Sequence, residues 1–230
     1  MKPQIPWLRV FVEGVVIVGS ILLAFGLQAW WENRQERLEE REELVRVYDE
    51  LDSDRQRLRG FGSYQLRIAS AALDVANRMD TGSASVEVAD TILAVLVGVP
   101  TFETLTPTLD GLRQSGRISI IRDREVRARI AAWERAVTNA SEWELRARAF
   151  VDAQIIPALS QRGDVGHVLQ NARPGSEINL SGVTALRIDL ELKGLVSQRH
   201  ANAAMASRGL DELATAVDSL MASIQASLGR

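Results

Sequence analysis

Residues Gly14 to Ala29 read GVVIVGSILLAFGLQA and carry no charge. Trp30 and Trp31 extend the uncharged run to 18 residues, about 27 Å as an α-helix and close to the hydrocarbon thickness of a bilayer. Nine positions between Val15 and Leu27 are Val, Ile, Leu or Phe. At ~0.3 to 0.6 kcal/mol each, they favour insertion by roughly 3 to 5 kcal/mol. Apolar residues surround the whole helix rather than one stripe, so the stretch predicts a transmembrane helix over residues 10–31. Two other readings fit the residues less well. A buried helix of a soluble domain is at odds with the highly charged continuation. A cleaved signal peptide needs small residues at A-x-A-like spacing, and only Ala24-Phe25-Gly26 comes near.

Working outward, Trp7 on one side and Trp30–Trp31 on the other suit the two interfaces, because an indole has an apolar body and one N–H donor. Glu13 stands at the edge of the run, where a carboxylate snorkels to the headgroups; its alternative role is pairing with a partner helix. Gly19 and Gly26 are seven residues apart and share a face, which allows close helix approach. Lys2 and Arg9 precede the span, and Arg34, Arg37 and Arg41 follow it among many Glu. The two flanks nearly tie in Lys and Arg. A long trailing domain is translocated regardless of its charge, so the expected orientation has the amino terminus in the cytoplasm. The domain then lies outside a bacterial inner membrane.

The composition of the 230 residues bounds the rest. An apolar share of 46% and a charged share of 25% are those of a folded chain. A net charge of −3 creates no global basic field, so nucleic acid is not an expected partner. With no cysteine, disulfides, thiolate nucleophiles and Cys-based metal sites are excluded.

A tail of residues 1–9 and the span precede a domain over 32–230. Residues 32–59 hold no Pro or Gly, and Leu44, Val47, Leu51 and Leu58 step by 3, 4 and 7, which predicts a helical stalk continuing the span. Gly60 and Gly62 are expected to interrupt it before a second helix ending near Met79. Ser85 is read as the N-cap of a helix over Val86–Val97; the alternative, a short strand over Ile92–Val97, has no evident partner. Thr104–Gln114 reads as a short helix limited by Pro107, with Gly116 past its end. Asp123 caps a long helix, 123–158, whose Val126, Ile130, Trp133, Val137 and Ala140 form a seam and which kinks near Pro157. Residues 160–182 are expected to form a long, mobile loop. A last helix, 183–228, carries the seam Leu210, Leu213, Val217, Leu220 and Ile224, with Gly194 and Gly209 as weak points. The class is all-α: one transmembrane helix, a stalk and an extramembrane helical bundle.

Val12 to Glu40 (VEGVVIVGSILLAFGLQAWWENRQERLEE), Phe102 to Trp133 (FETLTPTLDGLRQSGRISIIRDREVRARIAAW) and the amphipathic C-terminal helix together resemble a family of uncharacterised bacterial single-pass membrane proteins. That family has a domain of unknown function. The likeness covers about half the chain. The family has Asn near the first Trp, where this chain has Gln28 and Ala29. The resemblance implies an anchored helical protein and brings no activity or catalytic residue.

A search for chemistry finds little. His167 lies in the Gly-rich loop and His200 on the last helix, and neither has a second ligand at metal spacing. HExxH, phosphate-cradling Gly-rich loops and G-x-S-x-G are absent. Asp49, Glu50, Asp52 and Asp54 alternate with Arg and read as a solvated face. Arg122, Arg124, Arg127 and Arg129 are offset by Asp123 and Glu125, and are the candidates for contact with anionic headgroups or an acidic partner. The functional expectation is a non-catalytic, membrane-anchored accessory or scaffold subunit, without cofactor or metal, that binds other membrane proteins or itself. The alternative is an extracytoplasmic ligand-sensing domain acting through a partner.

Overall fold

The computed structural model describes residues 7–171 and 180–229. The chain is overall all-α, with one small antiparallel sheet. Helix α1, Trp7–Met79, runs for 73 residues and includes one stretch long and apolar enough to cross a membrane. Among the described residues, nothing covers that stretch. Beyond it, α1 becomes amphipathic. Leu44, Val47, Leu51, Asp54, Leu58, Gln65, Ile68, Ala72, Val75 and Met79 are all buried, at steps that keep to one face. Gly60 and Gly62, expected as an interruption, lie inside the unbroken helix. Each costs about 1 kcal/mol relative to Ala. Leu58 and Ile68 are buried on either side of them and Phe61 packs on the core between them, and that burial outweighs the cost.

Helix α7, Leu190–Leu228, lies antiparallel along α1. Gln225 Nε2 donates to Tyr48 Oη at 2.7 Å, His200 Nδ1 meets the Ala69 carbonyl at 2.8 Å, and Lys193 pairs with Asp80 at the far end. Helix α4, Arg124–Phe150, completes a three-helix core against α7. Its N-cap is Asp123, which accepts the backbone N–H of Glu125 and Val126. Gly209 does not weaken α7. A Cβ there would stand 3.2 Å from Trp143 Cδ1, so the missing side chain lets the indole lie against the helix. After Phe150 the helix widens into a π turn, Val151–Ile155, and closes with α5, Ile156–Ser160. Pro157 has no N–H for the carbonyl four residues back, and the Ile156 N–H bonds instead to Val151, five residues back.

Three further expectations are overturned at the end of the bundle away from the apolar stretch. Ser85–Ala89 is a strand, β1, and the helix after it, α2, spans only Asp90–Val97. Its partner is β2, Val183–Arg187, the segment read as the start of the last helix. The pair brings residues about 100 apart together in antiparallel register, with Val86, Val88, Thr184 and Leu186 on the buried face. The presumed loop 160–182 contains a helix: α6 covers Gly166–Asn171, and the Arg187 N–H donates to the Arg162 carbonyl at 2.9 Å. Gly163 sits where a Cβ would meet Ala185 O and Leu186 Cδ2 at 2.7 Å, so the chain presses directly on β2. Residues 172–179 of that loop lie outside the described residues. Helix α3 begins at Pro107 rather than Thr104, with the ring in the first turn.

Candidate functional site

The apolar stretch ends at Trp30–Trp31, and within two turns α1 meets the rest of the fold. The connector Ser115–Asp123 makes the contact. Gly116 has φ 71°, a left-handed conformation that favours glycine, and turns the chain out of α3 into a 3-10 turn, Arg117–Ile120. That turn lowers Ile118, Ile120 and Ile121 onto the core. Beside it, charged groups clamp the connector to the stalk. Arg117 Nη2 donates to Glu39 at 2.9 Å, and Arg122 bonds Asn33 Oδ1 at 2.6 Å and pairs with Glu36. The Arg122 backbone N–H donates to Glu40 at 2.6 Å. Exposed pairs like these contribute little each. As a set they fix where α4 and α7 stand relative to the apolar helix.

Higher up, three carboxylates hold the irregular segment 98–106 and the start of α3. Both oxygens of Asp54 accept the Leu105 N–H, at 3.0 and 3.2 Å, and Arg57 joins at 2.9 Å. Glu144 accepts the Phe102 N–H at 2.9 Å. Glu50 accepts both the N–H and the hydroxyl of Thr108, and so caps the start of α3 from another helix. The reading of this stretch of α1 as a solvated face is therefore corrected: Asp54 is fully buried and Glu50 is engaged. Phe102, held this way, meets Phe61 edge-to-face at 5.3 Å.

Burial pushes the Asp54 carboxyl above its ordinary value, against the pull of the Leu105 N–H and Arg57. Burial does the same to Glu144, where the Phe102 N–H and Arg148 oppose it and Glu103 adds to it. A raised folded-state value means the native state binds the proton more tightly than the unfolded chain. The penalty for ionised Glu144 is thus present at neutral pH and is relieved as pH falls through the folded-state value. Glu144→Gln removes that titration. Denaturant unfolding of wild type and the variant at pH 7.5 and pH 5 should show wild type gaining stability relative to the variant at the lower pH. A constant difference would refute the assignment.

At the sheet end, Asp90 opens α2 with its side chain buried. It accepts from Thr184 Oγ1 at 2.6 Å and meets His167 Nε2 at 2.8 Å. Burial works against the ionised form, but the bonds from Thr184 and His167 outweigh it and hold the carboxyl below its ordinary value. Gly182 comes so close to this carboxylate that a Cβ would collide with it. Asp90 thus ties α2, α6 and β2 together. Arg199, buried on α7, donates to the carbonyls of Leu96 at 2.9 Å and Gly98 at 2.6 Å, where α2 ends. Burial lowers its pKa to about 10, so it stays charged at neutral pH. Arg162, also buried, bonds Asp189, Glu191 and the Ala158 carbonyl.

The residues singled out from the sequence fall in two places. Glu13, Gly19, Gly26, Trp30 and Trp31 lie exposed on the uncovered part of α1. Trp7 is its first residue, and its side chain lies outside the described ones. Of the arginines, Arg122 is bound to the stalk, Arg127 donates to the carbonyls of Ile121 and Arg122, and Arg129 pairs with Glu125 at 2.7 Å. Arg124 is exposed. His167, read without a carboxylate partner, has one in Asp90. No group of three or more His, Asp or Glu side chains suited to a metal occurs among the described residues. Glu144 and Arg199 escaped the sequence reading and Asp54 was read as solvated, although a signal was present: each occupies a seam position of its helix. Arg199 follows Leu192 and Val196 and precedes Ala203 at alternating steps of 4 and 3. No family model matches the chain, and no curated protein and no solved structure matches it.

Proposed function

We propose that this chain is a non-catalytic, single-pass membrane protein, an accessory or scaffold subunit that holds a rigid helical domain at the bilayer surface and binds other membrane proteins. One observation carries the reading. The apolar part of α1 is covered by none of the described residues, yet it is continuous with the helix that forms the spine of the domain. Water is a poor solvent for such a helix, so lipid or another protein covers it. The clamp at Glu36, Glu39 and Glu40 then fixes the domain next to the span rather than leaving it on a flexible tether. The buried charges support a structural role, because Asp54, Glu144, Asp90 and Arg199 each satisfy backbone or side-chain groups that hold the fold together. The resemblance of Val12 to Glu40, of the Phe102–Trp133 stretch and of the C-terminal helix to single-pass bacterial membrane proteins agrees with this reading. The proposed orientation has the amino terminus in the cytoplasm and the domain beyond the inner membrane.

The test is purification of the full-length chain in mild detergent, with identification of what comes with it. A membrane protein recovered in constant ratio is the expected result. A lone monomer would overturn the scaffold reading while leaving the anchor intact. In the same cells, protease supplied outside the inner membrane should cut the domain; protection would reverse the orientation.

A further inference from the structure

The first turns of the stalk are divided by charge. Trp30, Arg34, Arg37 and Arg41 recur at steps of 4, 3 and 4 and share one face of α1. Glu32, Glu36, Glu39 and Glu43 follow the same spacing on the other side. Every one of those acids is engaged: Glu36 and Glu39 by the connector arginines, Glu43 by Arg46 at 3.2 Å, and Glu32 by Gln28 at 3.0 Å. The basic face is left uncompensated. Among the described residues no acid lies within ion-pair reach of Arg34, Arg37 or Arg41, and all three are exposed. The connector thus neutralises one side of the stalk and leaves the other with a single sign of charge.

Height along the helix decides what this face meets. This argument rests on the reading that the span lies in a bilayer. With Trp30–Trp31 at the hydrocarbon boundary, Arg34 stands about 6 Å and Arg37 about 10 Å above Trp30. The headgroup layer is roughly 5 to 8 Å thick on each side. Trp30, Asn33, Arg34, Arg37 and Leu38 line an open hollow of about 330 Å³ at that level. Its floor is an indole, with the Arg34 guanidinium 6.0 Å from the ring centre. We propose that this hollow binds the phosphodiester headgroup of an anionic phospholipid. Arg34 and Arg37, whose long side chains lean back toward the span, supply the charge, the Asn33 amide nitrogen (its oxygen accepts from Arg122) one further donor, and Trp30 the contact with the first carbons of the acyl chains. A zwitterionic lipid fits less well, because its amine brings a positive charge toward uncompensated guanidinium groups.

The experiment uses the full-length protein, stripped of lipid in detergent. It is titrated with phosphatidylglycerol or phosphatidylcholine in the same detergent, and bound lipids are counted by native mass spectrometry. Wild type should retain phosphatidylglycerol over phosphatidylcholine. At about fivefold per surface arginine, the double variant R34Q/R37Q should lose roughly 25-fold of that preference. R78Q, which removes an arginine paired with Asp74 at the far end of α1, should keep it. Equal retention of the two lipids by wild type, or an unchanged preference in the double variant, overturns the proposal. Displacement of bound phosphatidylglycerol by millimolar inorganic phosphate overturns it too, since the site would then hold any anion. So does loss of an acidic protein from the variant with lipid counts unchanged. A failed anchor would look different, because the wild-type chain would stay in solution without detergent and bind neither lipid.

Discussion

The double variant Leu22→Arg/Leu23→Arg is expected to leave the chain in the aqueous fraction with its domain folded. Both leucines lie near the middle of residues 10–31, and both are exposed in the structure, with nothing of the fold against them. Nine apolar side chains between Val15 and Leu27 favour insertion by roughly 3 to 5 kcal/mol, whereas each arginine at the centre of a span costs about 2.5 to 3.5 kcal/mol. Two of them reverse the balance. The substitutions touch neither the seam from Leu44 to Met79 nor the clamp at Glu36–Glu40, so the circular dichroism of the domain should match that of wild type. Alkaline carbonate extraction of membranes separates the outcomes. Wild type should remain in the pellet and the variant should not. A variant that still pellets, with a wild type that is extracted, would mean that the apolar stretch is covered by protein instead of lipid.

How far the fold could be read from the residues depends on the kind of signal each element gives. The long helices were legible because their seams repeat many times. Trp133, Leu213 and Ile224 announce a buried face through periodicity alone, and Asp123 and Gly116 mark boundaries by local chemistry. The sheet was not legible. A strand of five residues is defined by its partner, and Ser85–Ala89 finds its partner about 100 residues later, past the whole of α4. Until that pairing is known, Val86–Val97 reads as one helix because its second half is one. Gly60 and Gly62 misled for a related reason. Intrinsic propensity is worth about 1 kcal/mol per glycine, and tertiary burial on both sides of the pair exceeds it. At the stalk, the sequence put Arg122 among the candidates for contact with headgroups or an acidic partner. Whether a cation is free depends on which acids the fold brings to it, and the fold brings Glu36 to Arg122 but none to Arg34 or Arg37. Asp54, Glu144 and Arg199 show the same dependence inside the domain. Their seam positions were visible in the sequence, but the backbone groups they serve belong to segments 40 to 100 residues away.

Trp133→Ala should be among the most damaging single substitutions in the domain. The indole is buried between Ile130 and Val137 on the face of α4 that packs into the core shared with α1 and α7. Truncating a buried Trp typically costs about 3 to 5 kcal/mol, from lost transfer energy and from the cavity left behind. Domains of this size are commonly stable by only about 5 to 15 kcal/mol, so the variant should unfold at markedly lower denaturant than wild type. Trp133→Phe separates packing from polarity. The indole Nε1 is buried without a hydrogen-bond partner among the described residues, and leaving such a donor unpaired costs roughly 1 to 3 kcal/mol. Phenylalanine fills most of the space and removes the orphaned N–H, so its net cost should be small, below about 1.5 kcal/mol. Guanidinium unfolding of the detergent-solubilised protein, followed by circular dichroism at 222 nm, reads both variants. If alanine costs less than about 1 kcal/mol, α4 does not pack through Trp133. If phenylalanine costs as much as alanine, the N–H has a partner that matters, and the indole is there for its hydrogen bond as well as its volume.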